Sequence, residues 1–277
     1  MTDFEGYSTL RVRVDGGVAF ATIDHPPVNL LDLALIGDLD TFGRQVERAE
    51  DVRVVLFDSA DEEFFIAHAD VELIRRLPRD IPPKADSLTG FHAMVDRFRT
   101  MPKATIACIE GRARGGGSEF ALSLDMRFGA LGRTILAQPE VAVGILPGGG
   151  GTQRLPRLMG RSRALEVILG CGDFPADLAE RYGYLNRALP PDELRPFVEE
   201  LARRIASFPA ETIRLAKQAV LEADRDVVAG LIEEAHLFNQ TLAIPEAQER
   251  MERFLESGGQ TREMELGLDS TVSNLGS

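Results

Sequence analysis

The order in which strand and helix patterns follow one another is the feature that most limits what this chain can fold into. Up to about residue 190, apolar strand patterns alternate with amphipathic helix patterns, whereas the later periodic segments are all helical. Strands that alternate with helices are typical of an α/β fold, in which helices cover a sheet. We therefore predict an α/β core in residues 1–190 and a helical region in residues 191–277.

The periodicity also predicts individual elements. Thr9–Asp15 and Val18–Asp24 alternate apolar and polar residues on either side of Gly16-Gly17, which indicates a β-hairpin. Apolar runs at 52–58 and 104–109 predict buried strands. Amphipathic spacing predicts helices at 33–50, 87–100, 193–207, 210–223, 227–243 and 246–256. The pattern leaves open whether the last four helices pack on the core or on a neighbouring subunit.

The charge balance argues against one class of partner. The chain has a formal net charge of −13, whereas proteins that bind nucleic acids present a basic face to the phosphates. We therefore expect no nucleic-acid partner. An anionic small ligand is compatible with the charge, because a few local Arg and Lys residues are enough to hold one.

Composition also bears on compartment and metals. There is no run of 18 apolar residues, and Met1–Glu5 has neither the basic nor the apolar region of a signal peptide, so we expect no membrane association. Cys108 and Cys171 are too few for a disulfide framework, which favours a reducing cytoplasm. The four histidines are far apart and show no HxxxH or HExxH spacing, so we expect no metal site.

Three glycines mark the first candidate site. The strand that ends near Ile109 leads to Gly115, Gly116 and Gly117, and a helical pattern containing Glu119 follows directly. The first amides of a helix lack intrahelical acceptors and stabilise a phosphate or a developing oxyanion. Two plainer readings stay open. The glycines would also serve tight strand–helix packing, and a glutamate in the first turn is commonly a capping residue.

Two further segments carry candidate chemistry. Glu140 follows a proline in an apolar stretch, where a carboxylate is costly unless it is paired or functional; the alternative is a solvated carboxylate at a strand end. Four glycines at 148–151 then precede Thr152, which we predict to be the N-cap of a helix. In the third segment, Asp70 is predicted to cap a short helix that reaches Leu77, which leaves the Ala69 amide free to donate. An ordinary loop-to-helix junction would explain this last pattern as well.

These segments, in this order, resemble the crotonase (enoyl-CoA hydratase/isomerase) family. The resemblance rests on Pro102–Ala107, on the glycines and Glu119 that follow, on Gln138-Pro139-Glu140 and on Pro147–Leu155. It extends over roughly residues 18–225. It implies a spiral α/β core of repeated ββα units with a helical C-terminal region, assembled as trimers or dimers of trimers.

The resemblance also implies the roles of particular residues. The amides of Ala69 and Gly116 would form an oxyanion hole for an acyl-CoA thioester, and Glu119 and Glu140 would be the catalytic carboxylates that activate water and protonate Cα. Coenzyme A would be part of the substrate, and no separate cofactor is expected. The implied substrate-binding residues are Val28, Ala67, His68, Asp70, Gly115 and Gly148.

The chain departs from the family pattern at several positions. His68 stands where the family usually has glycine, and Arg114 replaces a more common apolar residue. His25–Asn29 resembles a CoA-contacting stretch but lacks its frequent basic residue, and few basic residues follow Met251. The pattern therefore identifies no contact with the CoA phosphates.

Three functions are compatible with this pattern. Two retained glutamates favour hydration of 2-enoyl-CoA thioesters. The alternatives are another crotonase reaction, such as isomerisation of the double bond, and a non-catalytic acyl-CoA-binding protein. The intact Glu119 and Glu140 weigh against the last of these.

Overall fold

The fold is taken from a computed structural model that describes residues 4–76, 88, 90–224, 245, 249 and 256. The strands are β1 (Leu10–Asp15), β2 (Val18–Ile23), β3 (Val54–Ser59), β4 (Phe64–Ile66), β5 (Ala104–Ile109), β6 (Arg112–Arg114), β7 (Met126–Ala130), β8 (Ile135–Ala137), β9 (Phe174–Pro175) and β10 (Arg187–Leu189). The helices are α1 (Leu33–Arg48), α2 (Val71–Arg75), α3 (Gly90–Thr100), α4 (Gly116–Leu122), α5 (Gly151–Met159), α6 (Arg161–Gly170), α7 (Ala176–Tyr182), α8 (Pro191–Ala206) and α9 (Ala210–Leu221). Short 3-10 turns lie between β8 and α5, at Glu140–Val143, and after α9, at Glu222–Asp224.

The predicted hairpin is confirmed. Strands β1 and β2 pair antiparallel, with Asp15 opposite Val18. Gly16 and Gly17 both have positive φ, at 57° and 80°, which is the backbone that a two-residue turn between twisted strands requires.

The repeated units wind into a spiral because successive strands enter two different sheets. One sheet has the order β1-β2-β3-β5-β7-β10, and the other has the order β4-β6-β8-β9. Each pair β3–β4, β5–β6 and β7–β8 therefore contributes one strand to each sheet and is followed by a helix. Within the large sheet, β2, β3, β5, β7 and β10 run parallel. The predicted α/β spiral of ββα units is confirmed.

Strands β3 and β5 of the large sheet are buried on both faces, as their continuous apolar runs predict. On one face, Phe57 of β3 packs against Phe98 of α3 and Phe120 of α4, with ring centroids 5.2 and 5.1 Å apart. On the other face, Leu56 belongs to a cluster that includes Val198 of α8. Helix α4, which begins within the three glycines at 115–117, is thus held by an aromatic core.

The helices after residue 190 that the structure describes pack on the core. Helix α8 buries its apolar side on the large sheet. In α9, Lys217 donates to the carbonyl oxygens of Phe98 and Lys103 and pairs with Asp125 at 2.8 Å. The predicted helices 227–243 and 246–256 lie outside the described residues, apart from single positions, and the division at residue 190 stays a prediction. None of the helices in the described ranges combines the length and the apolar character that crossing a bilayer requires.

Asn29 connects the segment before α1 to the strands behind the site. Its Nδ2 donates to Ser59 Oγ at 2.8 Å and to the carbonyl oxygens of Phe64 and Phe65 at 3.1 Å each, and its Oδ1 accepts from the His25 amide at 2.8 Å. Its φ of 51° is also one that asparagine tolerates better than most residues.

We expect Asn29→Ala to lower the free energy of unfolding by about 2–4 kcal/mol, because it removes four hydrogen bonds made by a buried side chain. Chemical denaturation followed by circular dichroism measures the change. Asn186→Ala is the matched control, since Asn186 is exposed and its side chain accepts one backbone hydrogen bond, from Arg127. Equal losses for the two variants would contradict the role assigned to Asn29.

Candidate active site

The chain turns sharply between β6 and α4, where the three glycines lie. Gly115 precedes the helix with φ +48° and ψ −126°, a backbone open to glycine and strained for other residues. Gly117 meets a neighbouring strand so closely that a Cβ atom there would lie 2.3 Å from the carbonyl oxygen of Ile66. The glycines therefore serve both the turn and the close packing that the sequence suggested.

Two backbone amides come together at this turn. A Cβ atom at position 116 would lie 3.5 Å from the Ala69 nitrogen. A bridge between Leu31 and the 68–70 segment fixes Ala69: the Leu31 amide donates to His68 O at 2.9 Å, and the Asp70 amide donates to Leu31 O at 3.0 Å. Within the described residues, the amides of Ala69 and Gly116 have no acceptor. Such a pair of free donors suits an oxygen that becomes negatively charged.

Glu119 lies in the first turn of α4, three residues after Gly116, with only 3% of its surface exposed. Its Oε1 accepts hydrogen bonds from the Gly149 amide at 2.7 Å and the Gly151 amide at 2.9 Å. The helix that it caps is therefore α5 and not its own. Burial raises the pKa of Glu119, and these two amides, with the charges of His92 and Arg154, lower it in part.

The predicted N-cap at Thr152 is wrong. Helix α5 begins at Gly151 with Gly150 as its N-cap, and Thr152 lies within the first turn. The carboxylate of Glu119, which is distant in sequence, meets the amides at the start of the helix, so no local side chain is needed there.

Glu140 is also buried, with 9% of its surface exposed, in a 3-10 turn after Pro139. It is therefore not the solvated strand-end carboxylate that the sequence left open. Burial first, and then the negative charge of Glu119, raise the pKa of Glu140 to about 7, although a backbone hydrogen bond opposes the shift. A carboxyl with this pKa exchanges a proton readily near neutral pH.

The two carboxylates and the two amides border one site. A Cβ atom at position 115 would lie 3.0 Å from Glu140 Oε1, so Glu140 faces the backbone that immediately precedes the Gly116 amide. The negative charge of Glu119, which lies in the same first turn of α4 as Gly116, raises the pKa of Glu140. The arrangement can hold a carbonyl oxygen on the amides while carboxyl groups exchange protons with the adjacent atoms.

Both departures from the family pattern leave the centre of the site intact. His68 is exposed, and its Nδ1 lies 2.8 Å from the Ala69 carbonyl oxygen and not on the Ala69 amide. Arg114 makes a bidentate pair with Asp173, with both contacts at 2.7 Å. Its charge is therefore satisfied by the segment that starts β9.

The residues expected to bind substrate occupy different parts of this region. The Ala67 amide donates to Val28 O at 3.2 Å, so these two residues lie side by side. Asp70 caps α2 as predicted, by accepting from the Glu72 amide at 2.9 Å. The helix is described up to Arg75, and the predicted end at Leu77 lies outside the described residues. Their contact with a substrate stays a prediction.

Gly148 lies on a cavity of about 950 Å³ between α3, α5 and α9. The wall of this cavity includes Gly150 and His92 but not Ala69, Gly116 or Glu140, so the cavity adjoins the loop that holds Glu119 and is not the amide site itself. Sequence reasoning missed Gln138 as a contact of Glu140. It also missed Ser118, which contacts Gln138, and Tyr184, which contacts Ser118.

Within the described residues, no group of three or more His, Cys, Asp or Glu side chains is placed to hold a metal ion.

Comparisons with known proteins agree on one family. The family model described as enoyl-CoA hydratase/isomerase matches residues 13–262. The short-chain-enoyl-CoA hydratase of Clostridium acetobutylicum is 32% identical over 87% of this chain and 92% of its own length. The crotonyl-CoA hydratase of Syntrophomonas wolfei is 35% identical over 74% of this chain and 78% of its own length. Among solved structures, the enoyl-CoA hydratase from Bacillus anthracis superposes with a TM-score of 0.83 at 29% identity and covers 90% of this chain and 97% of that one.

Proposed function

This chain belongs to the enoyl-CoA hydratase/isomerase family, and from that premise we propose that it adds water across the 2,3 double bond of an enoyl-CoA thioester. The observation that carries the proposal is the pairing of two free amides, Ala69 and Gly116, with two buried carboxylates beside them. The names of the relatives from Clostridium acetobutylicum and Syntrophomonas wolfei support the same reaction.

In this proposal, the amides of Ala69 and Gly116 hold the thioester oxygen. When a nucleophile attacks Cβ, negative charge develops on that oxygen as an enolate forms. The hydrogen bonds from the amides strengthen with the charge, and one such donor contributes about 3 kcal/mol to the stability of the transition state. Because both donors are fixed by the backbone, they need no rearrangement as the charge appears.

Glu119 and Glu140 divide the proton transfers between them. Both carboxyl groups orient the attacking water. Two backbone amides favour the ionised form of Glu119, which accepts a proton from the water while the hydroxide adds to Cβ. Glu140, with a pKa of about 7, delivers a proton to Cα. One proton must then return from Glu119 to Glu140, so the pair holds a single proton at the start and end of each turnover.

We also propose a cytoplasmic homo-oligomer, a trimer or dimer of trimers, without a separate cofactor. Support for self-association comes from apolar side chains exposed on the turn after Glu140 and on α6, which packs against that turn. They are Val143, Leu146, Leu165 and Leu169. Light scattering measures the assembly.

The test of the reaction is a spectroscopic assay with crotonyl-CoA. Hydration removes the absorbance of the conjugated thioester, and 3-hydroxybutyryl-CoA accumulates. A 3-enoyl-CoA substrate, offered in parallel, reports isomerisation by a gain of the same absorbance. Turnover of the 3-enoyl thioester alone would identify an isomerase, and binding of acyl-CoA without turnover of either substrate would identify a non-catalytic protein.

A further inference from the structure

A chain of buried polar side chains leads from the interior to Glu140. Tyr184 OH lies 2.6 Å from Ser118 Oγ, and Ser118 lies next to Glu119 on α4. With its nitrogen turned towards the site, the Gln138 amide donates to Glu140 Oε1 at 3.1 Å and to Oε2 at 3.2 Å, while its oxygen accepts from Ser118 Oγ at 3.2 Å. Tyr184, Ser118 and Gln138 are all fully buried.

The direction of these hydrogen bonds depends on the state of Glu140. An ionised carboxylate only accepts, so Gln138 must then turn its nitrogen towards Glu140 and its oxygen towards Ser118. In the opposite orientation, Gln138 Nε2 donates to Tyr184 OH at 3.4 Å, and its oxygen faces the carboxyl. Only a protonated Glu140 can donate to that oxygen.

We infer that Ser118 and Tyr184 are positioning residues, which act through Gln138 to keep its nitrogen on Glu140 and so stabilise the ionised form of that carboxylate. The Ser118 hydroxyl fixes the amide by donating to its oxygen. The Tyr184 hydroxyl directs Ser118, because its contact with Ser118 at 2.6 Å is much closer than its contact with Gln138 at 3.4 Å. The consequence for turnover rests on the proposed hydration, whereas the effect on the protonation of Glu140 does not.

Burial explains why such an arrangement matters. The site removes Glu140 from water, which raises its pKa to about 7. With a pKa of about 7, both forms of the carboxyl are present near neutral pH, and the hydrogen bonds that Gln138 donates favour the ionised form. Burial also raises the pKa of Tyr184 to about 12, so its hydroxyl keeps its proton as a donor.

Few other charged groups act on Glu140 within the described part of the chain. The negative charge of Glu119 raises the pKa of Glu140. His68 lies at the rim, where its Cβ is 3.7 Å from the position that a Cβ of Gly115 would take. Helix α6 packs against the same turn, and its charged side chains are exposed: Arg161, Arg163 and Glu166.

The test is a titration of the Glu140 carboxyl itself. Infrared difference spectra follow the band of the protonated carboxyl through neutral pH, and loss of the band in Glu140→Gln assigns it. We expect Ser118→Ala to raise the midpoint by about one pH unit, a tenfold change in the proton equilibrium, and Tyr184→Phe to raise it by about half a unit. The alkaline limb of kcat/KM for crotonyl-CoA should move with the midpoint, while KM stays unchanged.

Two controls separate positioning from simple support of the fold. Ser123→Ala removes another buried serine hydroxyl, which donates to the Glu119 carbonyl oxygen at 2.7 Å, and Tyr182→Phe removes a hydroxyl that contacts exposed Glu166. Neither should move the midpoint. If Ser118→Ala lowers stability as Ser123→Ala does and leaves the midpoint in place, the inference is overturned. A shifted midpoint in a protein that does not hydrate crotonyl-CoA would refute the proposed function and leave the inference standing.

Discussion

Glu119→Gln is expected to lower kcat for crotonyl-CoA hydration by about 10²- to 10⁴-fold, the range for loss of a general base, with little change in KM. The glutamine keeps an oxygen at the position that accepts from the Gly149 and Gly151 amides at 2.7 and 2.9 Å. The start of α5 therefore stays capped, while the group that accepts the proton of water is gone. Steady-state kinetics at saturating substrate measure the effect.

Glu180→Gln on α7 is the matched control, because Glu180 is exposed and the substitution removes the same charge. We expect its kcat to equal that of the unmodified chain. If Glu119→Gln raised KM and left kcat intact, Glu119 would be a residue that binds substrate and not a base.

Glu140→Gln is expected to reduce kcat/KM by a similar factor of about 10² to 10⁴ and to change its dependence on pH. With the Glu140 pKa at about 7, kcat/KM of the unmodified chain should fall about tenfold per unit above that pH, as the proton for Cα is lost. Water addition takes up no net proton, so the reverse reaction must show the same profile. The residual activity of Glu140→Gln should stay level through neutral pH, and an unchanged alkaline limb in this variant would exclude Glu140 as the acid.

The melting temperature of Glu140→Gln distinguishes a loss of activity from a loss of fold. The pKa of Glu140 rises from 4.5 to about 7 on folding, so its contribution to stability is full below pH 4.5 and is lost as the pH rises through 7. A neutral glutamine avoids that loss. We therefore expect Glu140→Gln to melt a few degrees higher than the unmodified chain at pH 8, with a smaller difference at pH 5.

Local patterns in the sequence were enough to predict several features of the fold and the site. Gly16-Gly17 predicted the hairpin because two positive φ values are a local requirement. The N-cap of α2 at Asp70 was predictable because its carboxylate and the Glu72 amide that donates to it are only two residues apart. The spaced motifs around Glu119 and Glu140 predicted the family, which the comparisons confirm.

Other contacts join segments that are distant in the chain, and local patterns carry no information about them. The Glu119 side chain, and not Thr152, meets the first amides of α5. Arg114 finds its partner in Asp173, far along the sequence.

The sequence by itself determined the hairpin, the buried strands β3 and β5 and the helices α1, α3, α8 and α9, and it supplied the glutamates and glycines of the site. Periodicity, turn geometry and motif order are properties of neighbouring residues, which is why these features could be predicted. Only the tertiary structure decided how those groups are tuned. Burial sets the pKa of Glu140 near 7, and the hydroxyls of Ser118 and Tyr184 meet Gln138 only once strands and helices have packed around them. Desolvation and long-range hydrogen bonds depend on what surrounds a group in space, and that environment exists only in the folded chain.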